Sequence, residues 1–327
     1  MEASVKAHPT VLCPIDFSEA SAGALRYAAA IATHIQAKLI VLSVEDPLLT
    51  EALDLGTGVT WTPDLAKQDM AQFAAKTFGA DAPMLSAFEY EVAVGKSAPE
   101  IMRVARDRAC DLIVISTHGL TGMRKLFFGS TTERVLRETT VPVLVTPPHD
   151  PGPIGIDDAK RLLHRVLVPV DLSAASLDQV QAARTLAEAL GLPLILVNVV
   201  EPLKTRLAAR LDLAGVEADR RAVAEDGLNE LMSTLPRRLH PEALVAYGDP
   251  AEELAKVVRD RQAGLVVMGL HASPMLGPRM GSVTYRLLCL SHGMVLALPP
   301  SSALNRKLHF GDSATVGAVR QSDRAVL

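Results

Sequence analysis

Residues 11–15 form a short apolar run, Val-Leu-Cys-Pro-Ile, that stops at Asp16. A run of this length ending in a polar residue predicts a buried strand of a parallel sheet. From Ser18 to Gln36 the pattern changes. Leu25, Ala28, Ala29, Ala32 and Ile35 recur at helical spacing, with Ser18 placed to cap that helix. Leu39–Val44 predicts a second strand, and the more polar stretch Glu51–Gly79 predicts a loop and a helix. Glu89–Val94 alternates as a strand closed by Gly95, Ala98–Ala109 is helical, and Leu112–Ser116 is another buried strand. A Gly-containing loop, His118–Phe128, leads to a helix from Gly129 to about Glu138 and a last strand at Val141–Val145. Strands alternating with helices predict an α/β unit with a mainly parallel sheet and helices on both faces.

The pattern then repeats. Thr10–Leu48 reads again at Arg165–Leu203, with Pro14, Asp16, Ser18, Ser21 and Pro47 falling on Pro169, Asp171, Ser173, Ser176 and Pro202. Strands at Val245–Gly248, Leu265–Gly269 and Val295–Leu298 follow in the same order. Gly95 falls on Gly248, His118 on His271, and Gly129-Ser130 on Gly281-Ser282. A period this long means two copies of a whole domain, not a solenoid of small units. The expected domains run from 8 to 147 and from 164 to 300. A Pro/Gly/Asp linker at 148–163 joins them, and a tail at 301–327 lacks a sustained apolar period and is expected to be mobile.

Composition narrows the class. The 327 residues suit two domains of about 150 residues. With 49% hydrophobic and 21% charged residues, the chain reads as soluble and globular. A net charge of −4 without a basic domain argues against nucleic-acid binding. The N-terminus has no apolar signal region, and no apolar run approaches the ~20 residues of a membrane helix. Cys13, Cys110 and Cys289 are scattered without a CxxC pair, which predicts free thiols in a reducing cytoplasm.

Three features are expected to converge. Asp16 lies just past the first strand, Ser116-Thr-His-Gly119 just past the fourth, and Gly129-Ser130 opens the returning helix. In open α/β sheets the ligand crevice lies outside the carboxyl ends of the strands. A carboxylate there accepts hydrogen bonds from ribose hydroxyls, and glycines let the backbone approach phosphate closely. The helix start offers N–H groups and the positive dipole end to an anion. Ser130 and Thr131 add hydroxyl donors, while Arg124 and Lys125 either add charge or stay solvated. Asp16 and Asp171 also admit a blander reading as helix N-terminal carboxylates. Gly95-Lys96-Ser97 imitates the end of a Walker A loop, but Tyr90 stands where its first Gly belongs. His118 and His271 have no partners at metal-ligand spacing.

These residues resemble the universal stress protein family. Its nucleotide-binding members carry G-x2-G-x9-G-[ST] after the fourth strand and an Asp at the end of the first. Here the first copy reads Ser116-x2-Gly119-x9-Gly129-Ser130, and the second Gly269-x2-Ala272-x8-Gly281-Ser282. The resemblance implies tandem Rossmann-like domains of the adenine nucleotide alpha hydrolase-like kind, each a five-stranded, mainly parallel sheet. It implies binding of ATP or another adenine nucleotide, with Mg accompanying it. Pro14, Asp16 and the backbone at Val44 would surround adenine and ribose. Gly119, Gly129, Ser130 and Thr131 would hold the phosphates, with Ile15 and Ser116 completing the site. A weaker second site would comprise Asp171, Gly269, Gly281, Ser282 and Val283. There Ala272 replaces a Gly, and the loop is one residue shorter and holds Pro274 and Pro278. The last strands would pair antiparallel as an internal pseudo-dimer, leaving a homodimer open. No positioned base, arginine finger or metal-binding acid set accompanies the loop, so slow ATP hydrolysis is the most enzymatic reading. The expected role is regulation of a protein partner under stress. The alternative is an interaction module that uses no nucleotide and acts through dimerisation.

Overall fold

The computed structural model describes residues 8–48, 51, 61–79, 88–117, 129–148, 152–153, 156–203, 214–273, 277–279, 281–291 and 293–299. The first half builds β1 (Thr10–Ile15), α1 (Glu19–His34), β2 (Lys38–Glu45), α2 (Pro63–Phe78) and β3 (Phe88–Val94). It continues with α3 (Ser97–Asp107), β4 (Leu112–Ser116), α4 (Ser130–Glu138) and β5 (Val143–Thr146). After α5 (Ile156–Leu163), the second half runs β6 (Val166–Pro169), α6 (Ala174–Leu190), β7 (Leu194–Val200), α7 (Ala214–Ser233) and β8 (Glu242–Tyr247). Then come α8 (Pro250–Asp260), β9 (Leu265–Gly269), β10 (His271–Ser273), β11 (Gly277–Arg279), α9 (Ser282–Leu290) and β12 (Met294–Leu298).

The two five-stranded sheets merge into one ten-stranded sheet in the order β3-β2-β1-β4-β5-β12-β9-β6-β7-β8. Within each half every pairing of this sheet is parallel, as short apolar runs joined by helical crossovers require. At the junction β5 and β12 pair antiparallel, with Val143 opposite Ala297, Leu144 opposite Leu296 and Val145 opposite Val295. Leu144 and Leu296 are the same position in the two copies, so a local twofold axis runs through this pair.

Alternate residues of each strand feed opposite layers. Val11 and Cys13 belong to the layer on one face, which also holds Leu25 of α1, Met70 of α2, Val180 of α6 and Leu228 of α7. Leu12, Ile40 and Leu42 belong to the layer on the other, which also holds Ile101 of α3, Val135 of α4, Leu254 of α8 and Leu287 of α9. Both sheet faces are therefore dry, which explains why the central strands lack a polar side.

Two expectations need correction. The last strand of the first half starts at Val143, not Val141. The Thr139 hydroxyl captures both backbone groups of Val141, donating to its carbonyl (2.7 Å) and accepting from its N–H (3.0 Å). Pro142 has no N–H to give to a ladder. The connection between the copies is also more than a polar tether, since it contains α5. Ala159 and Leu163 bury one side of that helix, and its N-terminal turn carries Asp157 and Asp158, which suit the dipole.

Candidate functional site

In each half the strand order reverses between the first and fourth strands, β1 and β4 or β6 and β9. In open α/β sheets such a reversal is where a crevice forms beyond the carboxyl ends of the strands.

In the first half Pro14 and Ile15 end β1 in the core, and half-buried Asp16 follows. The next residue, Phe17, takes a left-handed conformation (φ 62°), which turns the chain sharply into α1. Asp16 Oδ1 accepts from the Ser18 hydroxyl (2.6 Å) and the Ser18 N–H (3.2 Å). Ser18 Oγ in turn accepts from the Ser21 N–H (3.1 Å), so the cap expected at Ser18 is present. The carboxylate is thus tied to the helix start. Val44, near the end of β2, is half-buried against the second core layer.

Ser116 ends β4 in the core, and the start of α4 is anchored directly to it. The Gly129 N–H donates to Thr117 O (2.8 Å), and the Thr132 hydroxyl donates to Ser116 O (2.8 Å). Among the described residues no side chain caps α4 at Gly129, so its first N–H groups, at Ser130 and Thr131, lack a side-chain acceptor there. Gly119, His118, Arg124 and Lys125 lie outside the described residues.

The second half repeats this plan. Asp171 Oδ1 accepts from the Ser173 hydroxyl (2.6 Å), the Ser173 N–H (3.0 Å) and the Ser176 hydroxyl. Leu172 repeats the left-handed turn (φ 61°), and Gly281 starts α9 without a side-chain cap. All five residues expected here, Asp171, Gly269, Gly281, Ser282 and Val283, line a single cavity of about 430 Å³. That size lies within the usual range for small-molecule pockets, about 300–1,000 Å³. Ala272 and Pro278 sit opposite each other in the β10–β11 hairpin, and β11 packs against α4 of the first half. The described part of the shortened loop is therefore a two-stranded ribbon that touches the first half.

A sequence model of the universal stress protein family matches residues 8–147 and again residues 163–299. The chain belongs to the universal stress protein family. Among curated relatives, Universal stress protein MJ0577 of Methanocaldococcus jannaschii is 28% identical over 149 residues, 41% of this chain and 92% of that protein. Universal stress protein YxiE of Bacillus subtilis is 29% identical over 145 residues, 41% of this chain and 96% of that protein. Each relative thus corresponds to about one half of this tandem universal stress protein. Over the whole chain, a universal stress protein of Archaeoglobus fulgidus shares the fold at a TM-score of 0.56 and 20% identity, covering 89% of this chain and 98% of that one.

Two lining residues of this universal stress protein escape motif reading, Gln179 and Asn198. Gln179 Nε2 donates to Pro169 O and Val267 O, 2.8 Å each, bridging the end of β6 to the middle of β9. Asn198 Nδ2 donates to Val170 O at 2.8 Å. Their signal lies in the repeat itself: the first copy has Ala24 and Ser43 at these positions. A glutamine in an otherwise apolar helical stripe marks a polar demand beneath it.

Among the described residues no group of three or more His, Cys, Asp or Glu side chains is placed to hold a metal ion. No described helix is long and apolar enough to cross a membrane.

Proposed function

We propose that this universal stress protein binds ATP or a related adenine nucleotide, mainly in the carboxyl-end crevice of its first half, and uses occupancy to regulate a protein partner in the stress response. The observation that carries the reading is the plan found in both halves, a strand-end carboxylate followed by a helix that starts at a Gly without a side-chain cap, which in the second half lines one cavity. A helix mouth holds phosphate oxygens through its free N–H groups, and a carboxylate beside it suits sugar hydroxyls. The first half keeps the longer loop and the Gly119, Gly129 and Ser130 spacing, so we assign the stronger triphosphate site to it. Ser116 fits there because it ends a strand and has no left-handed backbone to accommodate. Mg would enter coordinated to the nucleotide's phosphates. Three cysteines without a disulfide suit a reducing compartment such as the cytoplasm.

Mass spectrometry of small molecules released from the freshly purified, denatured protein, followed by titration with labelled ATP, tests this. Binding in the micromolar range is expected, weakened about 10- to 100-fold at one site by Asp16→Ala, the range for losing a charged hydrogen bond. An absence of adenine nucleotide in the eluate together with no binding at about 1 mM would leave the chain as an interaction module.

A further inference from the structure

The floor of the second-half cavity differs in chemistry from its first-half counterpart. Both amide hydrogens of Gln179 are spent on the carbonyls of Pro169 and Val267. Reversing the amide would set its oxygen against two carbonyl oxygens, so the orientation is fixed. Oε1 then faces Gly269, lying 3.2 Å from where a Cβ on that residue would sit. This close approach explains why the position is Gly in the second copy and Ser116 above Ala24 in the first. No described residue donates to Oε1. Asn198 repeats the arrangement: it is 8% exposed, its Nδ2 is tied to Val170 O, and no described group donates to its Oδ1. Asp171, Asp178 and Glu201 line the same space, and no Lys or Arg is among its described lining residues. At the positions of Asp178, Gln179 and Asn198, the first copy has Gly23, Ala24 and Ser43.

This end of the cavity therefore presents acceptors and negative charge. A ligand is favoured there by O–H and N–H donors, and each added negative charge weakens it. We propose that the second half selects an adenosine-type nucleoside without a polyphosphate tail. The proposal rests on the reading that these crevices take adenine ligands. The shared chemistry is a donor to the Gln179 and Asn198 oxygens, supplied either by a ribose hydroxyl or by the 6-amino group of the base.

Calorimetric titration of the full chain with adenosine, ATP, 2′-deoxyadenosine and inosine tests it, with Asp16→Ala and Gln179→Met variants assigning each binding event to a half. At the site sensitive to Gln179→Met and insensitive to Asp16→Ala, adenosine is expected to bind at least tenfold more tightly than ATP. Weakening with 2′-deoxyadenosine assigns the donor to the sugar, and weakening with inosine assigns it to the base; weakening with neither overturns the role given to the amides. Tighter binding of ATP than of adenosine at that site overturns the proposal and leaves the nucleotide reading standing. No binding of either at that site removes both for the second half. Should Gln179→Met fail to fold by circular dichroism, Asp178→Asn on the exposed face of α6 replaces it. It is expected to strengthen ATP binding about threefold and leave adenosine within twofold; unchanged ATP binding counts against the proposal.

Discussion

Cys13 sits in mid-strand with none of its surface exposed, and burial pushes its thiol well above the ordinary cysteine range. Cys110 is equally buried, whereas Cys289 on α9 is half-buried. A thiol-specific reagent is therefore expected to label at most Cys289 in the native protein and all three cysteines in denaturant. Rapid native labelling of Cys13, read by peptide mass spectrometry, would contradict the packing of β1. A second single-residue test concerns the start of the inter-domain connection. Gly152 has φ +78°, and a Cβ there would lie 2.6 Å from the Gly23 carbonyl oxygen on α1. Gly152→Ala thus faces both a left-handed backbone and a backbone clash, and a loss of about 1–3 kcal/mol in denaturant unfolding is expected. An unchanged midpoint would show that this segment does not dock on α1. The sequence announces Asp16 and Asp171 through their place after an apolar run. It is silent on Gln179 and Asn198, whose roles depend on carbonyls from other strands, including Val267, far away in the chain.

At the scale of elements, most β-strands and their helices were legible as apolar runs, as alternation in β3, or as helical stripes. What local pattern could not show was α5 and the β10–β11 hairpin. The first spans only two turns and takes its stability from packing on its neighbours. The second forms from three-residue strands carrying Pro278, which no periodicity flags. The outer strand β3 is protected by charge, as sheet edges commonly are. Glu89 pairs with Lys38 and Arg108, and Arg108 also reaches Glu91 (2.7 Å). The hydrogen bond from Lys38, with help from Arg108, holds the Glu89 carboxyl below its usual range. A depressed folded-state value means that the contribution is present at neutral pH and is lost as pH falls through that value. Glu89→Gln is expected to cost less than about 1 kcal/mol at pH 7, the scale of a solvent-exposed pair. The deficit should close in thermal melts taken as pH drops below about 4. A deficit that persists in acid would point to packing in place of charge.

Taken whole, the protein is a continuous sheet whose halves meet through the β5–β12 ladder. A fragment ending at residue 147 would bare the outer row of N–H and C=O groups on β5, which favours pairing with another copy. Such a fragment is expected to sediment as a dimer, and Leu144→Lys should shift it toward monomer. A monomer at about 100 μM would show that this ladder adds little to association. The duplication was plain from aligned residues such as Pro14 with Pro169. The register of the junction was not, because it depends on an axis that passes between two strands distant in sequence. That axis joins Leu144 to its own counterpart, Leu296, inside one polypeptide. In an assembly of identical subunits every mutation is doubled, so its mouths must change together. Fusion into a single gene lifts that constraint while locking the stoichiometry at one to one. Either half can then change alone, and the two already differ where Ala24 of the first copy stands against Gln179 of the second.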